Sequence, residues 1–537
     1  MSAATACDYI IIGGGSAACV AAWRLVKDKG ARVLILERGP AKASGLSAFY
    51  LPMPAAWMKG ITGSPVVELH EPVPQKHLGG RAPKVGQAAI LGGGSSVNAM
   101  VYTRGQHEDY DAWDRFLGQG SGWSFADMLP HFRGLECNHR FHDKWHGVDG
   151  PLHVSDVGAT CQITEDYIRA VQGLGVPYNP DFNGARQAGV GTMQYTTHRN
   201  RRCNGVEAFL EPVLGTGRLA IETGCTVSRL IVEKGRCVGA AYLKDGQELS
   251  ARTDGEVLLA AGSYNSPKLL MLSGIGPAQH LATHGIKGVL DLPGVGENLQ
   301  DHHEVPVVAA TNGHFGYFGE DRGFRALRNG LQYLMFRTGP VTSVGVEACA
   351  YIDPEGGDRP TIKMYCVPTV YVDSDVKGIT PQDGVTLNAC LLRPKSRGTV
   401  RLRSANPLDM PVVDNNYLAE PEDLRLEIAG LRYARQILAA KPLAQRITHE
   451  MLPGKDVTDD AGLAAHCRKT VKTNWHPAGT CRMGPDGDPM AVLDARLRVR
   501  GIAGLRVIDA SAMPFVPSGN TNAPTMALAD RAISFLG

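Results

Sequence analysis

Three consecutive glycines near the start of the chain, Gly13 to Gly15, form a turn that can bring the backbone close to a phosphate group. They follow a short apolar run at residues 9–12, which is typical of a buried strand. A helical pattern then extends from about Ser16 to Lys29, and a second apolar strand from Val33 to Leu36. Strand, glycine turn, helix and strand in this order indicate a dinucleotide-binding unit.

Each position of this unit has a chemical role to fill. Gly13 permits the tight turn, and Gly15 lets a pyrophosphate approach the backbone. The helix N-terminus at Ser16 and Ala17 offers free N–H groups and a positive dipole end. Glu37 lies 37 − 15 = 22 residues after Gly15, the spacing at which a carboxylate accepts hydrogen bonds from a ribose diol. A carboxylate there disfavours a 2′-phosphate, so the sequence favours NAD or FAD over NADP.

Four further motifs decide between these two cofactors. They read LGGGSSVN (91–98), GSYNSPKLLMLSGIGP (262–277), WHPAGTCRMG (475–484) and GNTNAPT (519–525). Together with the first glycine turn, they resemble the glucose–methanol–choline (GMC) flavoprotein oxidoreductases, in the family's order and over essentially the whole chain. The resemblance implies FAD.

The resemblance also implies which residues surround FAD. The loop at 91–98 would run along the flavin, and its expected contacts are Gly92, Gly93, Ser95 and Asn98. Some family members bond FAD covalently through a histidine just before this asparagine. Position 97 is a valine here, so we expect non-covalent FAD.

Two later segments are expected at the other end of the cofactor. By resemblance, Val227 contacts the adenine, while Asp509 and Ala510 contact the ribityl–pyrophosphate region. Because Asp509 ends an apolar strand, a helix N-cap is an equally good interpretation of its carboxylate.

Alcohol oxidation by a flavin requires a base that takes the hydroxyl proton while a hydride passes from carbon to flavin N5. Imidazole is the usual base near neutral pH, and the chain has 17 histidines. His476 precedes Pro477, which favours an extended loop conformation, and the resemblance places the family's catalytic histidine here. The family's second residue, a histidine or an asparagine, aligns with Asn522, which could orient the substrate oxygen. Asn520 is the nearby alternative, with a turn role as its other interpretation.

These residues predict an FAD-dependent alcohol oxidase or dehydrogenase that converts a primary alcohol, aromatic alcohols included, to the aldehyde. Three alternatives share the scaffold: a cyanohydrin lyase, a fatty-acid photodecarboxylase and a non-catalytic flavin-binding protein. The presence of both His476 and Asn522 favours oxidation. Oxygen, a quinone and a protein all stay open as the electron acceptor.

The separation of the cofactor motifs predicts an α/β fold with a discontinuous, Rossmann-like FAD-binding domain at residues 1–150, 196–301 and 466–537. Residues 151–195 and 302–465 are expected to form an α+β substrate domain built on an antiparallel sheet. Its predicted elements are strands at 361–365, 386–392 and 399–403 and a helix at 422–440.

One face of this sheet should roof the flavin, and its side chains supply the candidate substrate pocket. The candidates are Tyr365 and Tyr371, together with Trp475 beside the proposed base. Ordinary packing is the alternative interpretation of each tyrosine. Aromatic walls would suit an apolar alcohol.

Cys137, His139, His142 and His146 lie close together in the sequence and suggest a zinc cluster. Their spacing fits no common zinc motif, and by resemblance the loop around His146 binds no metal. We therefore expect no metal.

Composition limits the partners. The formal charge of +2 gives no reason to expect nucleic acid, and no apolar run approaches the ~20 residues that span a bilayer. No secretion signal precedes the first strand, and the 12 cysteines occur without a CxxC pair. We expect a cytoplasmic enzyme with a small-molecule alcohol as its partner.

Overall fold

A five-stranded parallel sheet organises the first part of the computed structural model, which describes residues 7–70, 72–373 and 375–536. In spatial order its strands are Leu219–Glu222, Val33–Leu36, Tyr9–Ile12, Glu256–Leu259 and Leu505–Val507. The strand Tyr9–Ile12 lies in the middle because its isoleucines are apolar on both faces of the sheet, and each is at most 2% exposed. Both ends of the chain thus contribute to one sheet.

The glycine turn and the helices after it follow the predicted pattern. The first helix spans Ser16–Lys29 and ends at Gly30, whose φ of 61° is the left-handed conformation that favours glycine. This helix packs against Asn522–Ser534, and Gly262–Leu272 follows the fourth strand of the sheet. A separate antiparallel sheet comprises Thr226–Glu233, Arg236–Lys244 and Gln247–Arg252.

A seven-stranded antiparallel sheet forms the second large unit. Its strands are Ile447–Leu452, His303–Thr311, Gly384–Leu391, Ile362–Val367, Ala348–Ile352 and Gly189–Thr192, with Lys472–Thr473 paired beside His303–Thr311. The helix Pro421–Ala439 covers one face, where Leu431 packs with Met364 and Ala389. The neighbouring residues in the same strands, among them Tyr365 and Cys390, point to the opposite face.

The remaining elements connect these sheets. Longer helices span His107–Leu117, Phe125–Leu135, Gln162–Gly173, Gly323–Phe336 and Asp460–Thr470. Short helices span Gly45–Tyr50, Trp57–Gly63, Glu211–Leu214 and Ala278–Thr283. A four-stranded sheet contains Val101–Tyr102, Gln194–Tyr195, Leu152–Asp156 and Glu136–Asn138. Two-stranded sheets pair Val67–His70 with Val85–Ala88, Thr197–His198 with Arg201–Arg202, Ile275–Gly276 with Leu290–Asp291, and Thr399–Arg401 with Val412–Asp414.

The predicted fold class, a parallel dinucleotide-binding sheet with an antiparallel second unit, is confirmed. The domain boundaries stay a prediction. One detail differs from them: the strand Lys472–Thr473, expected in the FAD-binding part, pairs with the antiparallel sheet. None of the helices in the described ranges has both the length and the apolar character needed to cross a membrane.

Candidate active site

A groove of about 280 Å³ runs along the glycine turn at the carboxyl edge of the parallel sheet. It brings together most of the predicted cofactor residues, which are Gly13, Gly15, Ser16, Ala17, Glu37, Gly93, Val227, Asp509 and Ala510. These residues come from distant parts of the sequence, and the parallel sheet is what places them along one edge.

The backbone of this groove is shaped for a phosphate. Gly13 has a φ of 91°, and a Cβ atom there would lie 2.6 Å from the carbonyl oxygen of Ala260. A Cβ on Gly93 would lie 2.7 Å from Gly15 Cα, so the two glycine loops touch backbone to backbone. The helix after Gly15 has no side-chain cap and no acidic residue in its first turn. Its first N–H groups therefore suit an anion such as the pyrophosphate of FAD.

The two carboxylates of the groove are held by the backbone. Glu37 accepts hydrogen bonds at 2.6 Å from the N–H groups of Gly14 and Gly39, and each oxygen keeps a lone pair for a ribose hydroxyl. Asp509 accepts a bond from Gly262 N and caps the turn Ala510–Ala512. The capping interpretation of Asp509 is thus correct, while its carboxylate also lines the groove.

In the loop at 91–98, only two of the four predicted contact residues line the groove or the adjoining cavity. Gly93 lines the groove and Asn98 lines the adjoining cavity. Gly92 N instead donates to Gly14 O at 2.7 Å, and Ser95 Oγ donates to Gly92 O at 2.6 Å. Gly92 therefore fastens the loop to the first glycine turn, Ser95 bonds within the loop, and neither residue lines the groove.

A second cavity, of about 1000 Å³, meets the groove and extends to the surface. Five residues line both spaces: Ser16, Gly94, Trp475, Thr521 and Thr525. A long ligand can therefore lie with one end in the groove and the other in the cavity, as FAD requires.

His476 faces this cavity from a loop, as its position before Pro477 predicts. Its Nε2 lies 3.0 Å from Asn520 Nδ2, and its Nδ1 lies 2.9 Å from Nδ1 of His302. His302 Nε2 lies 3.0 Å from the carbonyl oxygen of Leu392. At the other end, Lys363 Nζ donates to Asn520 Oδ1 at 2.9 Å.

These contacts decide where the protons are. A carbonyl oxygen only accepts, so His302 carries its proton on Nε2 and leaves Nδ1 as an acceptor. Burial lowers the pKa of His302 to about 3, so the ring is neutral. His476 must then donate from Nδ1, and its Nε2 keeps a free lone pair. From the other side, the ammonium of Lys363 only donates, which turns the Asn520 amide N–H towards that same lone pair.

Electrostatics keep His476 neutral. Burial, and then the nearby His302 and Lys363, hold its pKa well below the usual histidine range. Its backbone N–H donates to Asp301 Oδ1 at 2.8 Å. Burial raises the pKa of Asp301 to about 6, while Thr473 and Tyr417 donate to its other oxygen. The arrangement presents an imidazole ready to take a proton, beside an amide N–H ready to stabilise an oxygen.

The structure corrects the predicted position of the asparagine. Asn522 is the first residue of the helix Asn522–Ser534, and its Oδ1 accepts a hydrogen bond from Ser16 Oγ at 2.7 Å. Asn520, two residues earlier in the loop and the nearby alternative of the sequence analysis, is the asparagine whose amide contacts His476 and so could orient a substrate oxygen beside it. The physical reason is that the two residues lie on opposite sides of the loop-to-helix junction. Both side chains still line the cavity.

Trp475, Tyr365 and Tyr371 all line the cavity, in the place predicted for the substrate pocket. Trp57 adds a fourth aromatic wall and makes an edge contact with Trp475, with ring centroids 6.4 Å apart. The remaining lining is mainly apolar, which suits an apolar ligand.

The sequence analysis missed two residues of this network, His302 and Lys363. His302 reaches His476 only through the tertiary fold. Lys363 could have been identified from the sequence. It lies two residues before Tyr365 on the predicted strand, so the two side chains point to the same face of the sheet.

The residues near Cys137 that suggested a zinc cluster lie in two separate places in the structure. His146 is buried between Glu136 and Asp181, and this pairing raises its pKa to about 9. Cys137 and His139 meet His153 at the surface. His139 Nε2 and His153 Nδ1 lie 2.9 Å apart, within hydrogen-bond distance of each other.

Comparisons with known proteins agree with this geometry. Sequence models of the GMC oxidoreductase family match residues 7–304 and 394–529. The chain belongs to the GMC oxidoreductase family. It is therefore an FAD-binding oxidoreductase, as the sequence analysis predicted.

Three relatives illustrate the match. An "Alcohol dehydrogenase [acceptor]" of Pseudomonas putida is 40% identical, over 98% of this chain and 95% of the relative. A mitochondrial choline dehydrogenase of Mus musculus is 37% identical, over 98% and 89%. The crystal structure of pyridoxine 4-oxidase from Mesorbium loti superposes with a TM-score of 0.89 at 29% identity, over 99% of both chains.

Proposed function

We propose that this oxidoreductase oxidises primary alcohols with uncharged, apolar or aromatic bodies to aldehydes. The observation that carries the proposal is the unprotonated Nε2 of His476, which faces the cavity beside the amide N–H of Asn520. An alcohol that enters between them can give its hydroxyl proton to His476. Asn520 then donates a hydrogen bond to the oxygen as negative charge develops on it.

His302 and Lys363 act as positioning residues in this scheme. His302 holds the tautomer of His476 that can accept a proton, and Lys363 holds the amide of Asn520 in the donating orientation. FAD, when bound, supplies the hydride acceptor. Val97 offers no nucleophile for a covalent link, so we infer that FAD is bound non-covalently.

The charge of the cavity favours an uncharged substrate. Among the described lining residues, only Glu320 and Asp321 carry a carboxylate. Glu320 pairs with Arg325 and Arg328, and Asp321 lies 3.8 Å from Arg322. Lys363 adds a positive charge next to the base. Among the described lining residues, a quaternary ammonium alcohol would therefore meet aromatic faces but no carboxylate without an arginine beside it.

Anaerobic flavin reduction tests the proposal directly. Purified holoprotein is mixed without oxygen with a panel of primary alcohols, aromatic alcohols and choline, and the flavin absorbance is followed. We expect uncharged alcohols to bleach the flavin, and His476→Ala to slow bleaching at least ~100-fold, the low end for acid–base catalysis. His142→Ala, at an exposed position outside the cavity, is the matched control. A flavin that no alcohol reduces, or a His476→Ala variant that matches the parent, would overturn the proposal.

A further inference from the structure

The helix Gly323–Phe336 exposes apolar side chains and buries polar ones, the reverse of the usual pattern. Phe324, Leu327, Leu331, Leu334 and Met335 recur at helical spacing along one stripe, and they are 47–79% exposed. The buried residues of the helix are Asn329 and Tyr333, which bond to Glu320 and to Asn200 O. A helix that buries its polar residues and exposes its apolar stripe indicates a surface that meets something other than water.

This apolar stripe stands at the mouth of the reaction cavity. The lining of the cavity includes Ala326 from the same helix and Phe318 just before it. It also includes Leu46 and Phe49 from the helix Gly45–Tyr50, which are 80% and 58% exposed. The apolar surface therefore continues from the stripe, across the opening, to a second helix.

Most of the charges around the stripe are positive, although the carboxylate of Asp321, which is 66% exposed, lies 3.8 Å from Arg322 at the start of the helix. Arg325 and Arg328 are the charged residues of the helix, with Arg322 directly before it and Arg337 directly after it. The side chains of Arg322, Arg325 and Arg328 are 50–69% exposed, whereas Glu320, with which two of them pair, is only 15% exposed. The outer surface thus presents an apolar stripe edged by guanidinium groups, the combination found in helices that lie in the interface of an anionic bilayer.

We propose that this stripe docks the enzyme on an anionic phospholipid surface, with the cavity mouth turned towards the lipid. The apolar side chains enter the acyl boundary and the arginines contact lipid phosphates. The net charge of +2 for the whole chain does not reveal this local distribution. Entry of apolar alcohols from the lipid rests on the proposed function, but binding to the surface does not.

Vesicle flotation tests the proposal independently of catalysis. FAD-loaded protein is floated with vesicles of phosphatidylcholine that contain either ~30% or no phosphatidylglycerol, at low and high salt. We expect binding to the anionic vesicles that weakens at high salt. The triple variant Phe324→Ser/Leu331→Ser/Met335→Ser should bind about 100-fold or more weakly, because each apolar side chain contributes up to about tenfold. Arg325→Gln/Arg328→Gln should lose about fivefold per arginine, on anionic vesicles only.

The matched control removes three exposed apolar residues elsewhere, Leu249→Ser/Val289→Ser/Leu408→Ser, and should bind like the parent. All variants must retain flavin absorbance and the parent's melting temperature, which the exposed positions should allow. Parent protein that does not float, or a triple variant that floats as well as the control, overturns the proposal. So does a parent dimer that the triple variant dissociates without any vesicle binding, since the stripe would then be covered by a second copy of the chain.

Discussion

Substitution of the two nearby asparagines distinguishes the structure from the sequence alignment. Asn520→Ala removes the amide N–H that lies 3.0 Å from His476 Nε2 and faces the developing oxygen charge. Loss of one such donor typically costs about 2.7–4 kcal/mol of transition-state stabilisation, a 100- to 1000-fold slower reaction. Asn522→Ala removes the partner of Ser16 at the start of a helix. That loss costs about 1 kcal/mol of stability and less than about fivefold in rate.

Stopped-flow mixing with an alcohol, without oxygen, measures the rate of flavin reduction in each variant. The flavin content and melting temperature of each variant separate loss of chemistry from loss of fold. Asn520→His serves as a further control, since the family uses either residue, and should retain more activity than Asn520→Ala. If Asn522→Ala is slowed more than Asn520→Ala while both retain flavin, the assignment to Asn520 is refuted.

Three other outcomes follow from the same geometry. Lys363→Met should slow flavin reduction about tenfold with little change in KM, since the carboxamide of Asn520 loses one fixing hydrogen bond. Lys363→Arg should restore much of the rate, and an unchanged rate in Lys363→Met would contradict the positioning role. In a pH profile of kcat/KM, activity should be lost as pH falls through the lowered pKa of His476. The acidic limb should therefore lie below the ordinary histidine pKa of about 6.5. A midpoint at or above that value would refute a neutral, desolvated base. Gly13→Ala should abolish FAD binding, measured as the flavin-to-protein absorbance ratio, because the new Cβ meets Ala260 O at 2.6 Å. Gly215→Ala, with open space around it, should bind FAD normally.

The first unit of the fold could be predicted from the sequence almost to the residue. The strand Tyr9–Ile12, the helix Ser16–Lys29 and the strand Val33–Leu36 are observed as predicted. These elements depend on local signals: apolar runs, a glycine turn and a left-handed glycine at the helix end. Weaker elements were placed within a few residues. The predicted strand at 399–403 ends at Arg401, which pairs with Val412, the first residue of its three-residue antiparallel partner Val412–Asp414.

For the site, the sequence alone determined the cofactor turn, the acidic residue after the second strand and the loop position of His476, because each depends on neighbouring residues. Only the tertiary structure decided which asparagine faces His476, since a shift of two residues across a loop-to-helix junction changes the direction of the side chain. It also brought in His302 and Lys363, which are 174 and 157 positions away from their partners. The direction of the protons along this chain of contacts is set by a carbonyl at one end and an ammonium at the other. That property belongs to atoms in space, and no local pattern in the chain encodes it.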